Sequence, residues 1–171
     1  MIIKEPLENV SYTVGRTGIF LAGGITNCPN WQEKTISYLD DILASAGWNT
    51  DKLVVYNPRR KNFPTDDPNA SSEQIKWEFK ALELCDIFTM YFCKGISVQP
   101  ICMYELGRNL VRMKQKFDDW QSRVVISVES GYQREMDVIL QSKLAGAYVF
   151  TNATPEMHAQ AIAKAWCDIY Y

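Results

Sequence analysis

The chain has 171 residues, 47% apolar and 22% charged, with a net charge of −2. These values suit one domain with a single core and exclude a disordered chain, while the scattered basic residues give no electrostatic footprint for duplex DNA or RNA. No apolar run is long enough to span a bilayer, and the segment around Lys4, Glu5 and Glu8 lacks a signal peptide's hydrophobic region, so a cytoplasmic protein with no membrane partner is expected.

Short β-rich apolar runs alternate with longer helical patterns, the mark of an α/β fold. The first strand is expected over residues 18–22, followed by Gly23-Gly24 and a loop through Asn27, Pro29 and Asn30. A helix over 31–46 carries Ile36, Leu39, Ile42 and Leu43 as its inward stripe and stops at Gly47. A second strand over 53–56 ends in Asn57-Pro58-Arg59-Arg60, and the Pro, Asp and Asn of residues 61–70 make a loop long enough to be functional. Ser71 or Ser72 is expected to cap the next helix, which runs to about Leu84. Residues 86–92 read as a strand covered on both faces, with Asp86 structural at its start. Turn formers over 93–100 lead into a helix marked by Leu106, Leu110 and Met113. A strand over 124–128, a short amphipathic helix over 134–144, a strand over 147–150 and a last helix from about Pro155 complete the order. This predicts one domain over residues 1–171, a doubly wound, flavodoxin-like or Rossmann-like sheet of about five parallel strands.

In such sheets the ligand lies beyond the carboxyl ends of the strands, where strand order reverses. Gly23-Gly24, Asn57 to Arg60, Glu105 and the segment from Glu129 to Tyr132 all fall at such ends, so residues distant in sequence are expected to converge on one crevice. Glu105 is placed in the first turn of its helix, where the unpaired N–H groups favour the ionised form and a carboxylate can act as a nucleophile; a glutamate there also simply stabilises a helix start. Gly23-Gly24 lets backbone approach a ligand, or forms a plain tight turn; the spacing is not a dinucleotide fingerprint. Arg59 and Arg60 offer guanidinium forks for a phosphate or carboxylate, or form a solvated pair, and Pro58 holds Asn57 extended toward the crevice. Glu78, one turn after Gln74, is either a surface glutamate or a second acid that grips a sugar hydroxyl or handles a proton.

His158, the single histidine, is expected on a solvated helix face, which disfavours hydrolysis by a nucleophile with a histidine base. Trp31, Trp77, Tyr91, Phe92 and Tyr104 are expected as core or pocket wall, any of them able to stack on a base. The five cysteines, Cys28, Cys85, Cys93, Cys102 and Cys167, lack paired spacing, so reduced, mostly buried thiols are expected and no metal or disulfide site.

Taken together, residues 19–25, 55–60, Trp77-Glu78 with Cys85-Asp86-Ile87 at fixed distance, and Pro100 to Gly107 resemble the nucleoside 2-deoxyribosyltransferase superfamily, most closely its nucleoside 2-deoxyribosyltransferase-like branch. The similarity extends to Gly131-Tyr132-Gln133-Arg134 and Asp137-Val138. It implies that Glu105, in Glu-Leu-Gly, is the nucleophile that attacks the anomeric carbon, and that Glu78 is the acid that contacts the sugar and handles a proton. Gly23 and Gly24 match the loop beneath sugar and base. Phe20 stands where these enzymes often carry Tyr, and Gln99, Pro100 and Ile101 stand where a base-recognising Asp is found, which leaves the base open. With Asn57, Arg59, Arg60, Trp77 and Tyr104 these residues form the expected substrate site.

The resemblance implies a transferase of purine or pyrimidine salvage that moves a 2-deoxyribosyl group between nucleobases through a glutamyl-sugar intermediate. Its substrates would be a nucleoside or nucleotide and a free nucleobase. It also implies a homo-oligomer with no cofactor. The alternatives are an N-glycoside hydrolase of nucleosides or nucleoside 5′-monophosphates, and a nucleotide-binding sensor without turnover.

Overall fold

Successive side chains of the continuous apolar central strands face opposite sides, and this builds two cores, one on each side of a six-stranded sheet. The structure is a computed structural model and describes residues 1–11, 14–64 and 66–170. The strands are β1 (Ile2–Lys4), β2 (Thr17–Gly23), β3 (Leu53–Tyr56), β4 (Ile87–Phe92), β5 (Val124–Val128) and β6 (Val149–Phe150). All pairings are parallel, in the order β1-β3-β2-β4-β5-β6. The helices are α1 (Trp31–Ser45), α2 (Ala70–Leu84), α3 (Pro100–Lys116), α4 (Glu135–Leu144) and α5 (Pro155–Tyr170).

Phe20, Ala22, Phe88, Met90 and Phe92 pack with Trp77 and Ala81 of α2 and with Leu106 and Leu110 of α3 on one face. Ile19, Leu21, Val55 and Tyr91 pack with Leu39 and Leu43 of α1 and with Ile162 and Trp166 of α5 on the other. This is the doubly wound arrangement expected. Its one addition is β1, a three-residue edge strand whose Ile2 to Lys4 pair with Val54 to Tyr56.

Strand order reverses between β2 and β4, so the chain leaving β2 toward β3 and the chain leaving β4 toward β5 part company there and open a crevice. The helix ends follow from local chemistry. Asn30 caps α1, its Oδ1 accepting the Glu33 N–H at 3.3 Å. At the other end Gly47, at φ +70°, stops it with paired bonds from Gly47 N to Ala44 O and from Trp48 N to Leu43 O. The α2 helix starts at Ala70 after Asn69 rather than at a capping serine, and the Asn69 side chain makes no capping hydrogen bond.

Three expectations are corrected here. The α3 helix starts at Pro100, with Gln99 before it in the left-handed conformation at φ 50°. Glu105 therefore lies in the second turn, beyond the unpaired N–H groups that were expected to hold it ionised. His158 is fully buried, not solvated: its Nδ1 meets Ser127 Oγ at 2.7 Å and its ring packs on Trp31 and Tyr91. Burial lowers its pKa to about 3, so it is a neutral core residue. The α4 helix lacks a clean amphipathic stripe, with Met136, Leu140 and Leu144 exposed. No helix among the described residues is long and apolar enough to cross a membrane.

Candidate active site

The crevice at the reversal of strand order holds a cavity of about 250 Å³. Phe20, Gly23 and Gly24 contribute from the end of β2, Glu78 from α2, and Gln99, Cys102 and Glu105 from the start of α3. Helical phase explains the acids. Cys102, Leu106, Asn109, Leu110 and Met113 form the buried face of α3, and Glu105, three residues after Cys102, sits at that face's edge over the cavity. Trp77 and Ala81 are buried on α2, and Glu78 lies one residue round from Trp77, beside Gln74.

Burial and proximity set the charge on the pair. Burial first, then the negative charge of Glu78, pushes the Glu105 carboxyl up from 4.5 to about 7, with Arg108 offsetting part of the effect. Burial also raises Glu78, while a 2.8 Å hydrogen bond donated by Gln74 Nε2 to its Oε1 works the other way. The Cys102 thiol beside them is pushed up to about 12, chiefly by burial and then by Glu105, and stays a neutral wall. Two carboxyl groups from separate helices thus share one small cavity, and one of them exchanges its proton near neutral pH.

The glycines line the cavity and also let protein groups pack closely against them. A Cβ on Gly23 would lie 2.4 Å from Tyr91 O and 2.5 Å from the Trp31 ring, and one on Gly24 would lie 2.5 Å from Cys28 Sγ and 2.6 Å from Gln99 Oε1. Protein therefore already fills the space in front of both Cα atoms. Trp31 Nε1 donates to Gly24 O at 2.9 Å, and Gln99 Nε2 donates to Cys93 O at 2.8 Å, so α1 and the β4 exit together hold this floor.

Arg59 is different from expectation. Its Nε donates to Gln32 Oε1 at 2.9 Å and its Nη2 lies 2.9–3.3 Å from the carbonyl oxygens of Gly24, Ile25, Cys28 and Pro29. The guanidinium cross-braces the loop that forms the crevice wall. Asn57 is buried and its Oδ1 accepts the Arg59 N–H at 3.1 Å, which shapes the turn. Arg59→Ala should unfold roughly 1–2 kcal/mol more easily, since it removes the hydrogen bonds to these part-buried carbonyls. Urea unfolding with limited proteolysis of the loop before α1 checks this; unchanged stability and cleavage would leave the brace without a role.

Trp77 lies behind Phe20, ring centroids 6.4 Å apart, with its Nε1 donating to Glu8 O at 2.9 Å, so it supports the wall and does not line it. Tyr104 is exposed on the far side of α3 and does not reach the cavity. The β5 end does not line it either: Glu129 accepts the Lys94 N–H and Tyr132 OH donates to Val98 O at 2.7 Å, both fastening the loop before α3. Thr26, Ser97 and Cys102 line the cavity without having been named as site residues beforehand. Of these only Cys102 had a signal, its place one turn before Glu105.

Among the described residues no cluster of His, Cys, Asp and Glu has metal-holding geometry. A family model described as nucleoside 2-deoxyribosyltransferase like matches residues 16–117, from the start of β2 through α3. No curated protein matches the chain.

Proposed function

The chain belongs to the nucleoside 2-deoxyribosyltransferase-like family, and from that premise we propose that it cleaves the N-glycosidic bond of a 2′-deoxynucleoside and transfers the sugar to a second nucleobase. The supporting observation is the pair of carboxyl groups facing one cavity, with Glu105 titrating to about 7. In the proposed first step a Glu105 carboxylate oxygen attacks C1′. The C1′–N bond breaks, its electron pair leaves with the base, and Glu78 supplies the proton the departing nitrogen takes up. The developing positive charge at C1′ lies beside the ionised Glu105 in a partly desolvated site, where a carboxylate stabilises it better than in water. A nitrogen of the second base then attacks C1′ and releases Glu105, returning its proton through Glu78.

Hydrolysis is the second reading. Ile101 is 68% exposed at the mouth of the cavity beside exposed Thr26, which leaves a path for water to reach the sugar ester. Chromatography of a deoxynucleoside reaction with and without an acceptor base separates the two. An exchanged nucleoside supports transfer, free 2-deoxyribose supports hydrolysis, and unchanged substrate under both conditions contradicts the proposal.

The proposal fixes a pH dependence. The nucleophile must be ionised, and Glu105 is protonated below about pH 7. Turnover should therefore rise about tenfold per pH unit as the pH climbs toward that value, and fall again where Glu78, the proton donor, ionises. A kcat profile flat from pH 5 to pH 8 would contradict the role of Glu105.

A further inference from the structure

Gln74 and Glu78 stand one turn apart on α2, the spacing at which side chains on a helix surface meet. Gln74 Nε2 has two hydrogens and makes two bonds, one donated to Glu78 Oε1 at 2.8 Å and one to Pro58 O at 3.0 Å. Pro58 follows β3 and lines the first cavity together with Glu78, so the amide ties the acid on α2 to the turn after β3. Pro58 O can only accept, and a reversed amide would set two acceptor oxygens against each other. The amide oxygen of Gln74 is buried and accepts no hydrogen bond from a described residue, so Nε2 alone sets the orientation. The ionisable groups bordering the same spaces are Glu105 and Cys102 of α3, in the first cavity, and Arg60, in a neighbouring cavity that Gln74 and Glu78 also line. Arg60 lies outside the first cavity, its guanidinium 5.6 Å from the Phe63 ring centroid.

From this geometry we infer that Gln74 is the positioning residue of the acid pair: its amide confines the Glu78 proton to Oε2 and holds that carboxyl in place for transfer to the departing base. The carbonyl oxygen of a carboxylic acid is its better acceptor, so an N–H fixed at Oε1 leaves the proton on Oε2. The inference rests on the proposed glycosidic cleavage and adds the group that orients its proton donor. In that step the Oε2–H bond breaks as an N–H bond forms on the leaving base, and the bonding pair stays on the carboxylate. The Gln74 bond then runs to an anion rather than to a neutral acid, and a charge-assisted hydrogen bond is roughly twice as strong. The amide therefore favours the state in which the proton has left, and it draws the Glu78 pKa down against the rise that burial causes.

Two variants test this with opposite signs. Gln74→Leu keeps a similar volume and removes both donors, whereas Gln74→Lys keeps a donor and adds positive charge. The first arm needs no turnover. In Glu105→Gln, infrared difference spectra across a pH titration identify the Glu78 acid by a carbonyl band that is absent when Glu78→Gln is added. With Gln74→Leu the band should move to higher frequency, because its carbonyl loses a donor, and should persist to higher pH. With Gln74→Lys it should vanish at lower pH. A band unchanged in frequency and titration in both variants would overturn the inference.

The second arm follows deoxynucleoside turnover. Gln74→Leu should lower kcat roughly tenfold with KM little changed, and should carry the descending limb of the pH profile to higher pH. Gln74→Lys should carry that limb to lower pH. Combined with Glu78→Ala, Gln74→Leu should cost nothing further, because a residue that acts through Glu78 has no effect without it. Effects that add in the double variant, or a lower kcat with an unmoved limb, would show a merely structural role and overturn the inference. If the wild type turns over no deoxynucleoside the glycosidic proposal fails, and the infrared arm still decides whether Gln74 places the proton.

Discussion

Glu105→Gln should fold, lose turnover by roughly a thousandfold or more, and be more stable than the wild type above pH 7. The loss of turnover follows because an amide neither attacks C1′ nor stabilises positive charge there. The gain in stability follows from linkage. The folded-state pKa of Glu105 is raised to about 7 from an ordinary value of 4.5. Stability associated with its protonated form is fully present below pH 4.5 and is lost as the pH rises through 7. Glutamine has no such dependence, so the two proteins should melt alike at pH 4 and diverge to a plateau on the order of 3 kcal/mol above pH 7. Thermal melts across that range, run beside turnover assays, check both halves. Wild-type rates would remove Glu105 from the chemistry, and a constant difference in stability at all pH values would show that its carboxyl is not held in a desolvating site.

Glu78→Ala should lower turnover by roughly a hundredfold or more, as removal of an acid–base contact does. The profile should also move. Glu78's charge is the second cause, after burial, that raises the Glu105 pKa. Without that charge the acid limb of the kcat profile should shift to lower pH even as the plateau falls. Glu78→Gln keeps an oxygen for the Gln74 donor bond and should show the same downward shift, which separates the electrostatic effect from disturbance of α2. A mild fall with an unmoved limb would reduce Glu78 to a surface residue that borders the cavity.

The sheet and its crevice were legible in the chain because they rest on short-range signals. Buried parallel strands such as residues 87–92 read as continuous apolar runs, and Gly47 stops α1 by the conformation that glycine alone enters freely. The edge strand β1 was not legible, since Ile2 to Lys4 are too few to show a period and owe their conformation to pairing with β3. What was missed at the site is mostly tertiary. Nothing local indicates that Arg59 folds back on the carbonyl groups of the loop before α1, or that the single histidine is sealed against Ser127. The charge state of Glu105 was misjudged for a definable reason. Its helix begins at Pro100, and within that frame the buried positions Cys102 and Leu106 already turn Tyr104 outward and bring Glu105 to the edge of the apolar face.

The measurement closest to the central claim is a search for the covalent sugar ester. Wild-type protein incubated with a slowly turned-over deoxynucleoside analogue, quenched in acid, digested and analysed by mass spectrometry should carry one deoxyribosyl group on the peptide that contains Glu105. The adduct should disappear when an acceptor base is added before the quench and should be absent from Glu105→Gln. Released base with no modified peptide, or a modified peptide that lacks Glu105, would contradict the assignment of this carboxylate as the nucleophile.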